Sequence, residues 1–153
     1  MVHGKWFPAG DPAVQALQIK QSVFGVGADE TDGVSQHVVV YREGEALGAA
    51  RLWWENGAFW LGDVAVLPSA RKQGFGDLLV RLLLFKALSH NAETIRLKAT
   101  SQTVPFFAQY GFQAEAEDGE MFIRGADVQL SHCGGQCEGC DHRTADCTPK
   151  ALR

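Results

Sequence analysis

The stretch VAVLPSARKQGFGDLL, residues 64–79, limits the fold more than any other part of the chain. An apolar run ends at Pro68, passes Arg71, Lys72, Gly74 and Gly76, and continues as a leucine-rich helix over 74–89. A helix entered this way leaves the N–H groups of Gln73, Gly74, Phe75 and Gly76 without intrahelical acceptors at the positive end of its dipole. Glycine at 74 and 76 removes side chains that would hold an anion away from the backbone. Arg71 and Lys72 add full positive charges nearby. The stretch therefore predicts either a cradle for an anionic cofactor or an ordinary strand-to-helix turn that needs glycine dihedrals. Two common phosphate motifs do not fit. Leu79 stands where a dinucleotide fingerprint has its third glycine, and Asp77 follows Gly76 where a P-loop has lysine.

The flanking sequence supplies the other elements. GKWF (4–7) reads as a first strand, and Asp11–Pro12 as the start of a helix whose apolar face is Ala13, Leu17, Ile19, Val23 and Phe24. An acidic loop, GVGADETDG (25–33), follows. HVVVYREG (37–44) and ALGAARLWWENG (46–57) read as strands joined at Glu43–Gly44–Glu45, and Asn56–Gly57 turns the chain into FWLGDVAVL (59–67). Helix 74–89 has a broad face of Leu78, Leu79, Leu82, Leu83, Phe85 and Leu88. TIRLKAT (94–100) alternates like a strand, TVPFFAQYGF (103–112) is a short helix closed by Gly111, and GEMFIR with DVQL (119–124, 127–130) reads as a final hairpin. The order β, α, βββ, α, β, α, ββ predicts an α+β fold.

With 46% apolar and 21% charged residues, 153 residues suffice for one globular domain with a real core. A net charge of −4 argues against a nucleic-acid binder. No apolar run reaches the roughly 20 residues of a membrane helix, and MVHGKWFPAGDP lacks the apolar core of a signal peptide, so a cytoplasmic protein is expected. Composition changes at Ser131, which divides a domain over 1–130 from a Cys-rich tail over 131–153. All four cysteines, Cys133, Cys137, Cys140 and Cys147, lie in that tail, with His132 and His142 as spare ligands. Thiolates this close on a glycine-rich backbone can converge on one zinc ion. An iron–sulfur cluster, or cysteines that are reduced or disulfide-linked, are the alternatives.

Val66, Pro68, Arg71, Gly74 and Gly76 match the V-x-P-x-x-R-x-x-G-x-G signature of the GNAT (Gcn5-related) N-acetyltransferases. ALQIKQSVF resembles the first helix of the family's ElaA-like branch, HVVVYREGEALGAARLWW its central hairpin, and VPFFAQYGF a second family motif. The resemblance covers about residues 13–128 in the order read above. It implies the GNAT fold, a mixed and mostly antiparallel sheet flanked by helices, and acetyl-CoA as co-substrate. Acetyl would pass directly to a small-molecule, peptide or protein amine. The pyrophosphate would lie on Arg71, Lys72, Gln73, Gly74 and Gly76, and the pantetheine arm on main-chain atoms of Val64 and Val66. No nucleic-acid or membrane partner is implied, and a homodimer is left open.

The sequence departs from the family pattern at both proton-transfer positions. Phe107 stands where the family commonly has a tyrosine that protonates the leaving thiolate, so either Tyr110 substitutes as donor or the thiolate leaves unassisted or takes its proton from water. Gly62 stands where many relatives carry glutamate. Candidate bases are then Glu55, at the end of its strand, and Asp63, which strand alternation turns to the face opposite residue 62. His37 is expected to make a structural hydrogen bond. Asp29, Glu30 and Asp32 either attract a cationic acceptor or are simply solvated. The competing function is a catalytically weak acyl-CoA-binding module with a metal- or redox-sensing tail.

Overall fold

Two tight turns organise the N-terminal half. Glu43–Gly44 (φ 51° and 78°) and Asn56–Gly57 (φ 52° and 79°) both take consecutive left-handed residues, the geometry whose twist matches a two-residue hairpin. They join β2 (Gln36–Arg42), β3 (Glu45–Glu55) and β4 (Ala58–Val66) into an antiparallel meander, to which β1 (Val2–Phe7) adds along β2. The computed structural model describes residues 1–115 and 118–129. Across them the sheet continues through β5 (Thr94–Lys98), β6 (Gln113–Ala114) and β7 (Glu120–Arg124) in the order β1-β2-β3-β4-β5-β7-β6. Only the β4–β5 pair is parallel, because the helix α2 (Phe75–Ser89) crosses over between them.

The sheet has a helix layer on each face. Val38, Val40, Ala50, Leu52, Leu61, Ile95 and Leu97 form one core with Leu79, Val80, Leu83 and Leu84 of α2. Val39, Tyr41, Ala49 and Ala65 pack on the other face against Ala13, Ala16 and Ile19 at the helix α1 (Val14–Phe24). A third helix, α3 (Val104–Ala108), closes the first core with Phe107. At Gly4, where α2 meets β1, a Cβ would lie 2.9 Å from Leu82 Cδ1, so the end of that side chain would have to shift to admit one.

Several sequence expectations need correction. Helix α1 begins at Val14, not at Pro12, because Asp11 Oδ1 accepts the N–H of Ala13 (2.8 Å) in a local turn and Ala13 is left-handed. Its inner face carries Ala16 and Lys20, whereas Phe24 is exposed. On α2, Phe85 is exposed, and Phe75, Val80 and Leu84 are buried in its place. The last hairpin pairs β7 with β6, and Gly125–Asp127 is a 3-10 turn where the sequence places the start of its second strand.

Candidate functional site

Strands β4 and β5 pair only at Phe59–Ile95 and Trp60–Arg96, and beyond Trp60 they separate. A bulge on β4 marks the separation. Ala65 lies opposite Ala49 and Gly62 opposite Arg51, so β4 carries one residue more than β3 over this step. Asp63 occupies the bulge with φ 51°, a left-handed conformation that costs a non-glycine residue about 1 kcal/mol. The bulge cancels the alternation expected from sequence. Asp63 lies on the α1 face, within ion-pair distance of Lys20 of α1, instead of opposite residue 62.

A cleft of about 430 Å³ opens in the gap. Leu61, Gly62, Asp63 and Val64 of β4 line one side, and Leu97 and Lys98 of β5 the other. Thr103, Phe106 and Phe107 close it from the α3 side, and Phe24 and Val26 from the end of α1. Leu61, Val64 and Leu97 belong to the α2-side core, so the cleft runs through the sheet from one helix layer to the other.

The N-terminus of α2 lies just past the end of β4. Lys72 (φ 64°) and Gly74 (φ 85°) are left-handed, and Gly74 caps the helix without any side-chain bond. The N–H groups of Gln73, Gly74, Phe75 and Gly76 have no acceptor among the described residues. Arg71 Nε donates to the Val66 carbonyl (3.0 Å), and Gln73 Nε2 to that of Ser69 (3.3 Å). A third cation, which sequence reasoning missed, comes from β2. Arg42 Nη1 donates to Gln73 Oε1, and its guanidinium lies 5.5 Å from the Phe75 ring centre. Arg42 is 31 positions from Gln73 in the chain, and only the sheet pairing brings them together.

Behind the bulge lies a cluster of buried charge. Lys20 Nζ and Arg51 Nε approach Asp63 Oδ2 at 3.0 and 2.9 Å, as ion pairs without hydrogen-bond alignment. Lys20 also donates to Asp32 Oδ2 (2.8 Å), and Arg51 Nη1 to Asp29 Oδ1 (2.7 Å) and Asp32 Oδ1 (3.0 Å). Asp29 and Asp32 exchange bonds with each other's backbone N–H, and His37 Nε2 lies 3.1 Å from Asp32 Oδ1. Burial alone would raise the Asp32 pKa. The bonds from Lys20, Asp29 N–H and His37, with the charge of Arg51, outweigh it and hold that carboxyl well below the usual range. The acidic loop, read from sequence as either attracting a cationic acceptor or solvated, thus contains a buried carboxylate, in a 3-10 turn over Thr31–Val34.

The other candidates are distributed unevenly. Glu55 is exposed at the hairpin end of β3, beyond the joined end of the β4–β5 pair and outside the cleft lining. Tyr110 donates its hydroxyl to Asp77 in the first turn of α2, and burial together with that carboxylate raises its pKa well above the usual phenol range. It is absent from the cleft lining, where Phe107 stands in edge-to-face contact with Phe106 and Phe112. Gly62 leaves room for Trp53, whose ring carbons would lie 3.3 Å from a Cβ at that position. Cys133, Cys137, Cys140 and Cys147 lie outside the described residues. No cluster of metal-ligating side chains occurs among the described ones.

Residues 33–114 match the family described as acetyltransferase (GNAT) domain. Over 89 residues the chain is 33% identical to the uncharacterized N-acetyltransferase YjcF of Bacillus subtilis, covering 58% of this chain and 64% of that protein. Over 78 residues it is 32% identical to YvbK of the same organism, described in the same words, covering 49% and 50%. The chain thus spans about half to two thirds of these relatives' lengths. Among solved structures, an acyl-CoA N-acyltransferase from Pseudomonas aeruginosa superposes with a TM-score of 0.66 at 23% identity, over 81% of this chain and 99% of that one. A Brucella melitensis GNAT family acetyltransferase in complex with acetyl-CoA gives 0.64 at 20%, over 81% and 88%. Escherichia coli ElaA gives 0.64 at 18%, over 80% and 97%. At these identities the likenesses establish the fold alone, a mixed seven-stranded sheet between helices.

Proposed function

The chain belongs to the GNAT acetyltransferase family, and from that premise we propose that it transfers acetyl directly from acetyl-CoA to an amine. The observation that carries this reading is the separation of β4 from β5 at the bulge, next to a helix N-terminus with four unpaired N–H groups. Those groups, with Arg42, Arg71 and Lys72, would hold a pyrophosphate. Gly76 leaves the approach open, the nearest atom to a Cβ there being Phe106 Cζ at 3.6 Å. Main-chain groups of Val64 and Val66 would align the pantetheine arm in the gap, and an N–H of the bulged strand would stabilise charge developing on the thioester oxygen. Bound acetyl-CoA supplies the activated acetyl group.

Asp63 is the acid that lines the cleft. It meets both cations through Oδ2, so Oδ1 is available to accept a hydrogen bond from the amine and orient it. Glu55 and Tyr110 take no part in this assignment. With Phe107 at the position of the usual donor, the thiolate takes its proton from solvent, which its modest basicity allows. This reading is tested by acetyl-CoA-dependent thermal stabilisation and by thiol release with amine acceptors. Gly74→Glu is expected to abolish the thermal shift, and Gly74→Ala, which shares the strain at φ 85°, to retain part of it. An unchanged shift in Gly74→Glu would remove the pyrophosphate site. The competing module reading rests on Phe107 and Gly62, and thiol release distinguishes it. A zinc site at the four tail cysteines rests on their spacing, and elemental analysis showing about one zinc per chain would support it.

A further inference from the structure

We infer, on the acyl-transfer reading above, that the acceptor entering from the α1 side of the cleft is an apolar or aromatic α-amino acid. Three features of that entrance combine. Phe24 and Val26 form its apolar wall, each 48% exposed and both lining the cleft. Such a wall within a cleft is where an apolar substituent gains most by leaving water. Across the gap stand two charges of opposite sign, Asp63 on β4 and Lys98 on β5.

The two charges differ in what already compensates them. Asp63 is held by Lys20 and Arg51 through one oxygen. Lys98 has no acidic partner among the described residues. Glu120, its register partner on β7, has its carboxylate at 3.5 Å from Arg96 instead. An acceptor with a carboxylate beside its amine would compensate Lys98 while presenting nitrogen to Asp63 Oδ1, and its side chain would lie on Phe24 and Val26. A diamine or polyamine would instead place a second positive charge against an uncompensated one. The transfer balances in the usual way. The neutral amine nitrogen bonds to the carbonyl carbon as the C–S bond breaks, sulfur leaves with the electron pair, and the surplus amine proton passes to solvent.

The test uses the full chain with acetyl-CoA and follows thiol release with phenylalanine, phenethylamine and putrescine. Phenylalanine is expected to exceed phenethylamine in kcat/KM by about tenfold or more, the scale of one charge-assisted hydrogen bond. Lys98→Met should remove that advantage by raising KM for phenylalanine and leaving phenethylamine nearly unchanged. Lys98→Glu should move the preference to putrescine. Equal or better turnover of phenethylamine or putrescine by the parent protein would overturn the inference, as would an acceptor ratio indifferent to both Lys98 substitutions. Acetyl-CoA stabilisation without thiol release to any of the three would overturn it while leaving the donor site standing. Loss of stabilisation as well would take the acyl-transfer reading with it.

Discussion

Asp63 combines a strained backbone, a partly enclosed carboxylate and a place in the cleft wall. These roles separate by substitution. Glycine tolerates φ 51° and alanine does not, so Asp63→Gly should be more stable than Asp63→Ala by about 1 kcal/mol in denaturant unfolding, and both should lose turnover. Equal stability would mean the bulge relaxes and is not held by its neighbours. Asp32 is the anchor behind it, and Asp32→Asn leaves Lys20 and Arg51 short of a partner, at a cost of about 3 kcal/mol near neutrality. The sign of its pH dependence follows from its lowered pKa. Below about pH 4 the unfolded chain binds the proton first, so the stability due to Asp32 falls with pH and is lost once the native carboxyl protonates. The gap in melting temperature between the parent and Asp32→Asn should therefore narrow on acidification, and a constant gap would contradict the assignment. None of this was legible in the sequence. GADETDG reads equally well as a solvated loop because charge pairing across 12 to 43 positions, as in Lys20–Asp32 and Lys20–Asp63, leaves no local pattern.

Elements bounded by glycine turns were read to within a residue or two, whereas the start of α1 and the partner strand of β7 were not. The glycine turns at 44 and 57 set the β2–β3–β4 meander within a residue or two, and Gly74 and Gly76 set the start of α2. By contrast β6 is two residues long and exists only because β7 pairs with it, so the hairpin was sought on the wrong side of β7. Two predictions belong at this scale. Gly76→Ala adds a Cβ in ordinary contact with Phe106 and improves helix propensity, so the protein should be as stable or up to about 1 kcal/mol more stable. The same methyl crowds the anion cradle, so acetyl-CoA should stabilise this variant less than the parent. Full retention of that stabilisation would place the pyrophosphate elsewhere. Phe107→Tyr puts a hydroxyl into the cleft wall and should raise kcat by up to about 10²-fold if thiolate protonation limits turnover. Rapid-quench measurement of the chemical step would distinguish that limit from slow product release.

At the scale of the molecule, the fold class and the start of α2 just past β4 were legible, because one strand–turn–helix stretch encodes both. The wall formed by Asp63, Lys98, Phe24 and Val26 was not, since these residues come from β4, β5, the end of α1 and the loop after it and meet only in the folded chain. The joint between β4 and β5 has a further consequence. Two residue pairs hold strands β1–β4 to strands β5–β7, so the sheet is two ribbons joined by a short seam and spanned by α2. Along that seam the backbone of residues 61–66 lacks the β5 ladder that would protect it from solvent. Amide hydrogens facing the gap should therefore exchange far faster than those of β2 and β3 in the ligand-free protein, and should slow when acetyl-CoA is added. The donor's arm would then serve as the missing strand, and the seam would be a place where ligand completes the sheet.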